Sequence, residues 1–100
     1  MKAIWNDKTI AEAKKEDLIY IEGNWYFPKS SIKSEYFKPS ETHTTCHWKG
    51  EASYYNVDVD GEVNQDSAWY YPVPTPSAIT RLKKDFTDYV AFWHGVEVAE

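Results

Sequence analysis

Alternating apolar and polar residues predict short β-strands joined by tight turns. The segments "KAIW" and "TIAEA" flank "NDK", which predicts a hairpin with a three-residue loop. The segments "DLIYIE" and "WYFP" flank Gly23-Asn24, which supplies the positive φ of a two-residue primed turn. The first third of the chain is therefore predicted to form two hairpins.

The clearest alternation lies in the middle of the chain. Tyr55, Val57 and Val59 alternate with polar residues and lead into Asp60-Gly61, a strong signal for a two-residue hairpin turn. Successive side chains of a strand point to opposite faces, so Tyr54 and Tyr55 are predicted to face opposite ways. By the same period of two, Trp69 and Tyr71 are predicted to share a face.

One helix is predicted near residues 76–86. Thr75 is a suitable N-cap, and Pro76 suits the first helical position. Ile79, Leu82 and Phe86 recur at spacings of three and four, which forms one apolar stripe. The segment "YVAFWHGVEV" then predicts one strand, or two that are broken at His94-Gly95. The fold class that follows is mainly β, with one short helix.

Length and composition predict one small domain over residues 1–100. A chain of 100 residues is enough for one core, and its aromatic content of 17% supplies much of that core. The formal charge is −5, and Asp85 and Asp88 follow the one cationic cluster, Arg81, Lys83 and Lys84. Because such a balance repels phosphate, we expect no nucleic-acid partner.

The absence of long apolar runs predicts a cytoplasmic protein that does not enter a membrane. The first ten residues, "MKAIWNDKTI", hold no apolar stretch of the length of a secretory signal, and Val90–Trp93 is far short of a membrane span. The chain has one cysteine and so forms no internal disulfide. Whether it is a monomer or a homodimer stays open.

The most reactive residue types cluster in "THTTCHWKGEASYY", residues 42–55. Cys46 could act as a nucleophile if a cation or a histidine base favoured its thiolate, and Lys49 could supply that charge. Gly50 would permit close approach of a ligand or a positive φ. The structural alternative is favoured over the functional one: Cys46 is a small buried apolar group, Trp48 is a core anchor and Gly50 enables a bend.

Metal sites are not favoured by the spacing of possible ligands. His43, Cys46 and His47 lie within five residues, but structural zinc needs four ligands, and the remaining histidine, His94, lies far along the chain. The segment "NVDVDGEVNQDS" imitates a calcium loop but has Ser67 where a bidentate Glu is needed. We therefore expect no metal and no cofactor.

Several segments together resemble one bacterial family, catalogued as domain of unknown function 427. The segments are "GNWYFP" (23–28), "PSETHTTCHWKGEASYYNV" (39–57), "NQDSAWYYPVP" (64–74) and "YVAFWHGVEV" (89–98). The family pattern is Thr-x-Cys-Pro-aromatic-Lys-Gly-x-Ala-x-Tyr followed by Ala-Trp-x-Tyr-x-x-Pro. It is matched by Thr44, Cys46, Trp48, Lys49, Gly50, Ala52, Tyr54, Ala68, Trp69, Tyr71 and Pro74.

The resemblance implies a small β-tent-like fold, a complex antiparallel arrangement, without an assigned activity. His47 stands where the family usually has proline, so a dyad of Cys46 and His47 is not favoured as a shared chemistry. Relatives of that fold hold zinc with paired C-x-x-C motifs, which a chain with one cysteine cannot copy. The family is sometimes labelled nucleotidyltransferase-like, but no Gly-Ser loop precedes Asp58-x-Asp60 here.

These observations lead to one functional hypothesis with two alternatives. The first is a small-molecule ligand, anionic in character, bound in a pocket around a loop from Thr44 to Gly50. Lys49 would hold the anion, and Tyr54, Trp69 and Tyr71 would line the walls. The alternatives are a thiol-dependent enzyme that uses Cys46 and a non-catalytic interaction module. Whether the protein is an enzyme is left open by the sequence.

Overall fold

The computed structural model describes residues 1–100 and is mainly β, as predicted, with nine strands and one short helix. The strands are β1 (Lys2–Trp5), β2 (Lys8–Glu12), β3 (Ile19–Ile21), β4 (Asn24–Tyr26), β5 (Phe37–Cys46), β6 (Gly50–Val59), β7 (Glu62–Tyr70), β8 (Val90–Phe92) and β9 (Glu97–Ala99). Helix α1 spans Pro76–Leu82 between β7 and β8, and no helix is long and apolar enough to cross a membrane.

The strands form three antiparallel sheets. The largest has the order β5-β6-β7-β8, the second has the order β2-β1-β9, and β3 pairs with β4. Phe27, directly after β4, exchanges two backbone hydrogen bonds of 2.8 Å with Val90 of β8. The β3–β4 hairpin is thereby attached to the edge of the four-stranded sheet, which places its turn within reach of the β5–β6 hairpin.

The hairpin predictions are confirmed, but two turns differ in detail. The β1–β2 loop consists of Asn6 and Asp7 alone, both at positive φ, and is one residue shorter than predicted. The β3–β4 turn is Glu22-Gly23, not Gly23-Asn24. The pairing of Ile19 with Tyr26 fixes this register, because both side chains are buried and a one-residue slip would expose them. Glu22 therefore takes a φ of 49°.

The helix begins as predicted and ends earlier. The Thr75 side chain accepts a hydrogen bond from the Ala78 N–H, and Pro76 is the first helical residue. The helix ends at Leu82, because Lys83 turns the chain with a left-handed φ of 57°. Phe86 lies beyond the helix but is fully buried, so it completes the predicted apolar stripe from a loop.

The C-terminal segment forms two strands, β8 and β9, in different sheets. His94 and Gly95, at φ of 53° and 86°, turn the chain between them, as the sequence allowed. The stretch from Thr44 to Gly50, predicted to be a loop, is mostly strand. β5 continues to Cys46, and only residues 47–49 form the turn into β6. Backbone pairing of Thr44 with Ala52 and of Cys46 with Gly50 explains the difference.

The core divides into two clusters on opposite faces of the four-stranded sheet. One face, which packs against α1 and is called here the helix face, carries Tyr54, Trp69 and Tyr71. Tyr55 packs against the other cluster, around Phe37 and Val57. The predicted opposition of Tyr54 and Tyr55 and the shared face of Trp69 and Tyr71 are both confirmed.

Substitution of Gly50 tests how tightly the turn after β5 packs. Gly50 has a φ of 114°, and an added Cβ would lie 3.1 Å from the Val73 carbonyl oxygen. Gly61, at a φ of 83°, has open space around it. We expect Gly61→Ala to cost about 1 kcal/mol of unfolding free energy and Gly50→Ala at least about 1 kcal/mol more. Urea unfolding measures both, and equal losses would contradict the close approach.

Candidate functional site

The β5–β6 hairpin brings the predicted site residues to the helix face. Thr44 and Cys46 are separated by two positions on β5, so both side chains lie on the same face as Tyr54 of β6. The Thr44 hydroxyl is 2.8 Å from the Tyr54 hydroxyl. Trp69, in the adjacent strand, pairs directly with Tyr54 in the backbone register. Cys46 is half-buried at the end of this row.

The turn at residues 47–49 is fixed by the segment that leads into α1. The Thr75 hydroxyl donates to the Trp48 carbonyl at 2.6 Å, and the Thr75 N–H donates to the Lys49 carbonyl at 3.1 Å. Gly50 allows this contact because a side chain there would meet Val73. The N-cap of α1 therefore also holds the backbone of Lys49 in place.

Lys49 turns its ammonium group inward. Its side chain is only 8% exposed, and Nζ lies 2.6 Å from Oε1 of Glu22 in the β3–β4 turn. Nζ also lies 5.3 Å from the Tyr71 ring centre and 5.5 Å from that of Trp48, which are cation–π distances. A buried charge flanked by rings and neutralised by one carboxylate is thus the electrostatic centre of this face.

The Glu22 carboxylate is the more exposed partner, with 55% of its side chain accessible. The hydrogen bond from Lys49 lowers the pKa of Glu22, and the indole N–H of Trp48 and the charge of Arg81 act in the same direction. Arg81 lies on the Trp48 ring, 4.6 Å from its centre. The carboxylate is therefore paired with one cation, Lys49, with the Trp48 ring beside it and the Arg81 charge farther away.

Lys49 stays protonated at neutral pH. Burial works to lower the pKa of Lys49, but the hydrogen bond to Glu22, together with the negative charges that Tyr26 and Tyr71 carry once they ionise at high pH, outweighs burial and raises the pKa above its usual value. Burial also raises the pKa of Tyr71 to about 12 and that of Tyr26 above its usual value. At neutral pH the site consequently holds one fixed ammonium among un-ionised phenols.

Three residues of this cluster were missed by the sequence analysis: Glu22, Tyr26 and Arg81. Tyr26 is fully buried and accepts a hydrogen bond of 3.0 Å from the Trp69 indole N–H, which connects the β3–β4 hairpin to the sheet. The sequence signal available for Tyr26 was its position in "GNWYFP", one of the segments that carry the family resemblance. Glu22 offered no signal, because it lies 27 residues before Lys49 in a turn whose register was predicted one residue off.

The reactive types predicted around Cys46 do not assemble into a thiol site or a metal site. His43 lies on the opposite face of β5, where its Nδ1 is 3.1 Å from the Ser53 hydroxyl. His47 is exposed in the turn, and His94 packs on Trp93 with ring centres 4.1 Å apart. No group of three or more His, Cys, Asp or Glu side chains is placed to hold a metal ion.

The calcium-like segment is a hairpin. Val57 and Val59 are fully buried on β6, and Asp60-Gly61 forms the turn into β7. The Asn56 side-chain oxygen accepts a hydrogen bond of 2.8 Å from the Asp66 N–H. Asn56, Asp58 and Asp60 therefore do not surround a common point.

The cleft of the molecule lies away from all the predicted site residues. It has a volume of about 680 Å³ and lies between residues 12–19, 28–31 and 84–89. None of Thr44, Cys46, Lys49, Gly50, Tyr54, Trp69 and Tyr71 lines it. Beside Lys49 there is no comparable cavity, and the Glu22 carboxylate lies directly against the ammonium group.

The pH dependence of stability reports on the ion pair. The folded pKa of Glu22 lies below its usual 4.5, so the pair stabilises the fold above that pH, and this contribution is lost as the pH falls through the folded pKa. We expect Glu22→Gln to cost about 1 kcal/mol or less at pH 7, because Glu22 is half-exposed, and less at pH 3. Urea unfolding at both pH values checks this.

Glu62→Gln is the matched control for that measurement. Glu62 is exposed at the start of β7 and belongs to none of the ion pairs of the structure. Its substitution should change the unfolding free energy little at either pH. A Glu22→Gln effect of the same size at pH 3 and pH 7 would show that the ion pair does not cause it.

Comparison with known proteins identifies the family without adding an activity. No curated protein matches the chain. The family model described as "Domain of unknown function (DUF427)", labelled NTP_transf_9, matches residues 1–100. Because this match covers the entire sequence, from β1 through the Lys49 turn to β9, the chain belongs to the DUF427 family.

Proposed function

We propose that the protein binds a small anionic ligand at Lys49, where the turn at residues 47–49 meets α1. One observation carries this proposal: a buried ammonium group has a single carboxylate partner, and that partner is an exposed side chain from another hairpin. A buried charge needs a counter-charge, but nothing requires that the counter-charge come from the protein itself.

The electrostatics favour binding of an anion over amine chemistry. A lysine that acts as a nucleophile or a base needs a lowered pKa, and the surroundings of Lys49 raise its pKa. Arg81, 4.6 Å from the centre of the Trp48 ring, adds a second positive charge that acts on the same carboxylate position. The pair suits a carboxylate or a phosphate, both of which are bound in proteins by Lys and Arg.

The other predicted residues have supporting roles in this proposal. Tyr71 and Trp48 form the walls next to the ammonium group, and Trp69 holds the Tyr26 hydroxyl near it. Tyr54, fixed by its contact with Thr44, and half-buried Cys46 extend the same face beyond the charge. Gly50 allows the turn to adopt the conformation that directs Lys49 inward.

The two alternatives have weaker support. Thiol chemistry at Cys46 lacks a base, since His43 points to the other face and His47 is exposed. An interaction module would need a continuous apolar patch. The large exposed apolar residues are Tyr20, Val63, Val73 and Trp93, and Tyr20 and Trp93 contact different aromatic neighbours, Trp25 and Tyr54 respectively.

Titration with simple anions tests the proposal. Sodium acetate and sodium phosphate are added at constant ionic strength, and the indole N–H signal of Trp48 is followed by ¹H–¹⁵N NMR. We expect a saturable shift, with a dissociation constant on the order of millimolar because few charged contacts are made. The shift should be lost in Lys49→Met, which keeps an unbranched side chain one atom shorter but removes its charge.

Lys38→Met is the matched control, because Lys38 is exposed on β5 and makes no ion pair. It should titrate like the wild type. The dispersion of the amide signals establishes that Lys49→Met is folded before its titration is read. Equal shifts in the wild type and in Lys49→Met would refute an anion site at Lys49.

A further inference from the structure

The geometry points to Glu22 as a built-in occupant of the anion site, whose carboxylate is exchanged for the carboxylate of a ligand. This inference rests on the proposed function and adds two things to it: the chemical class of the ligand and the means by which the empty site is kept closed. It is drawn from the position of Glu22, its backbone conformation and the space around Lys49.

The first observation is that Glu22 makes the contacts a bound carboxylate would make. Its Oε1 lies 2.6 Å from the Lys49 ammonium, which is buried, while the Glu22 side chain itself is more than half exposed. Arg81 lies 4.6 Å from the centre of the Trp48 ring, and Trp48 neighbours the same carboxylate. The buried partner is thus the Lys49 ammonium group, and the Glu22 carboxylate approaches it from the solvent side.

The second observation is the backbone at residue 22. Glu22 has a φ of 49° in a two-residue turn, a conformation that Gly and Asn tolerate much better than Glu. The corresponding turns of this chain use Asn6-Asp7 and Asp60-Gly61 at their positive-φ positions. Glu22 is therefore an unfavourable residue for the turn itself, and it differs from the Asp of the corresponding turns in the longer side chain that carries its carboxylate to Lys49.

The third observation concerns space. The Lys49 side chain is 8% exposed, and no cavity lies beside it while Glu22 is in place. Withdrawal of the Glu22 side chain would vacate the position of one carboxylate against the ammonium group. The group that Lys49 holds in the fold is itself a carboxylate, so the ligand class that follows is an organic carboxylate.

Exchange requires that Glu22 leave without unfolding the hairpin. The β3–β4 hairpin is held by the buried side chains of Ile19, Ile21 and Tyr26 and by the hydrogen bonds of Phe27 with Val90. None of these contacts involves the Glu22 side chain. A change of its side-chain rotamers alone would open the site, and the competition between Glu22 and the ligand would lower the apparent affinity for the ligand.

Removal of the internal competitor tests the inference. The wild type, Glu22→Gln and Glu62→Gln are titrated with sodium acetate, and the Trp48 indole signal is followed by NMR. We expect acetate to bind Glu22→Gln about five- to tenfold more tightly than the wild type, because the competing charge is gone. Glu62→Gln should match the wild type, which excludes a general effect of one lost negative charge.

Glu22→Asn separates competition from loosening of the turn. Asn is favoured at positive φ, so this variant removes the carboxylate and makes the turn more favourable. It should bind acetate as tightly as Glu22→Gln does. If Glu22→Gln gains affinity and Glu22→Asn does not, a looser turn explains the gain, and the competition is refuted.

The remaining outcomes distinguish a failure of the Glu22 exchange from a failure of the anion site at Lys49. Equal, Lys49-dependent affinities in the wild type and Glu22→Gln would overturn the role of Glu22 and leave the anion site standing. Binding in neither protein would overturn the anion site and the exchange together. Phosphate binding to Glu22→Gln as tightly as acetate would overturn the assignment to carboxylates.

Discussion

A lysine ammonium group inside an aromatic cluster is the constraint around which this face of the protein is arranged. Charge removed from water must be compensated, and here the compensation comes from the carboxylate of Glu22, 2.6 Å away. Tyr71 and Trp48 present their rings to the same ammonium group. The strand pairing, the helix cap and the turn register together place these four side chains in contact.

The parts of this arrangement depend on one another through the backbone. Thr75 caps α1 and also binds the carbonyl groups of Trp48 and Lys49, so the helix start and the Lys49 turn are fixed together. On the other side, Phe27 attaches the β3–β4 hairpin to β8, which brings Glu22 over Lys49. The ion pair thus joins two hairpins that are distant in sequence. When the Glu22 carboxylate leaves Lys49, this link between the hairpins is lost.

The sequence was sufficient where the determining interaction is local. The period of two separated Tyr54 from Tyr55, Asp60-Gly61 marked its turn, and Thr75-Pro76 marked the helix start. It was insufficient where burial decides between neighbouring registers. Because Ile19 and Tyr26 pair and are both buried, the turn lies at Glu22-Gly23, one residue before the predicted position. Lys49 was identified as a site residue from its motif, but its partner lies 27 residues away and no local pattern relates the two.

The central claim, that the Lys49 ammonium group is a buried charge whose anion can be exchanged, is tested most directly by NMR of that ammonium group. A buried, hydrogen-bonded ammonium exchanges its protons slowly enough to give a resolved ¹⁵N signal at neutral pH, unlike the exposed lysines. We predict such a signal for Lys49 and expect added acetate to move it saturably. A Lys49 signal that is absent through rapid exchange with water would show that the ammonium group is not buried, and one that acetate leaves unmoved would show that its anion is not exchanged.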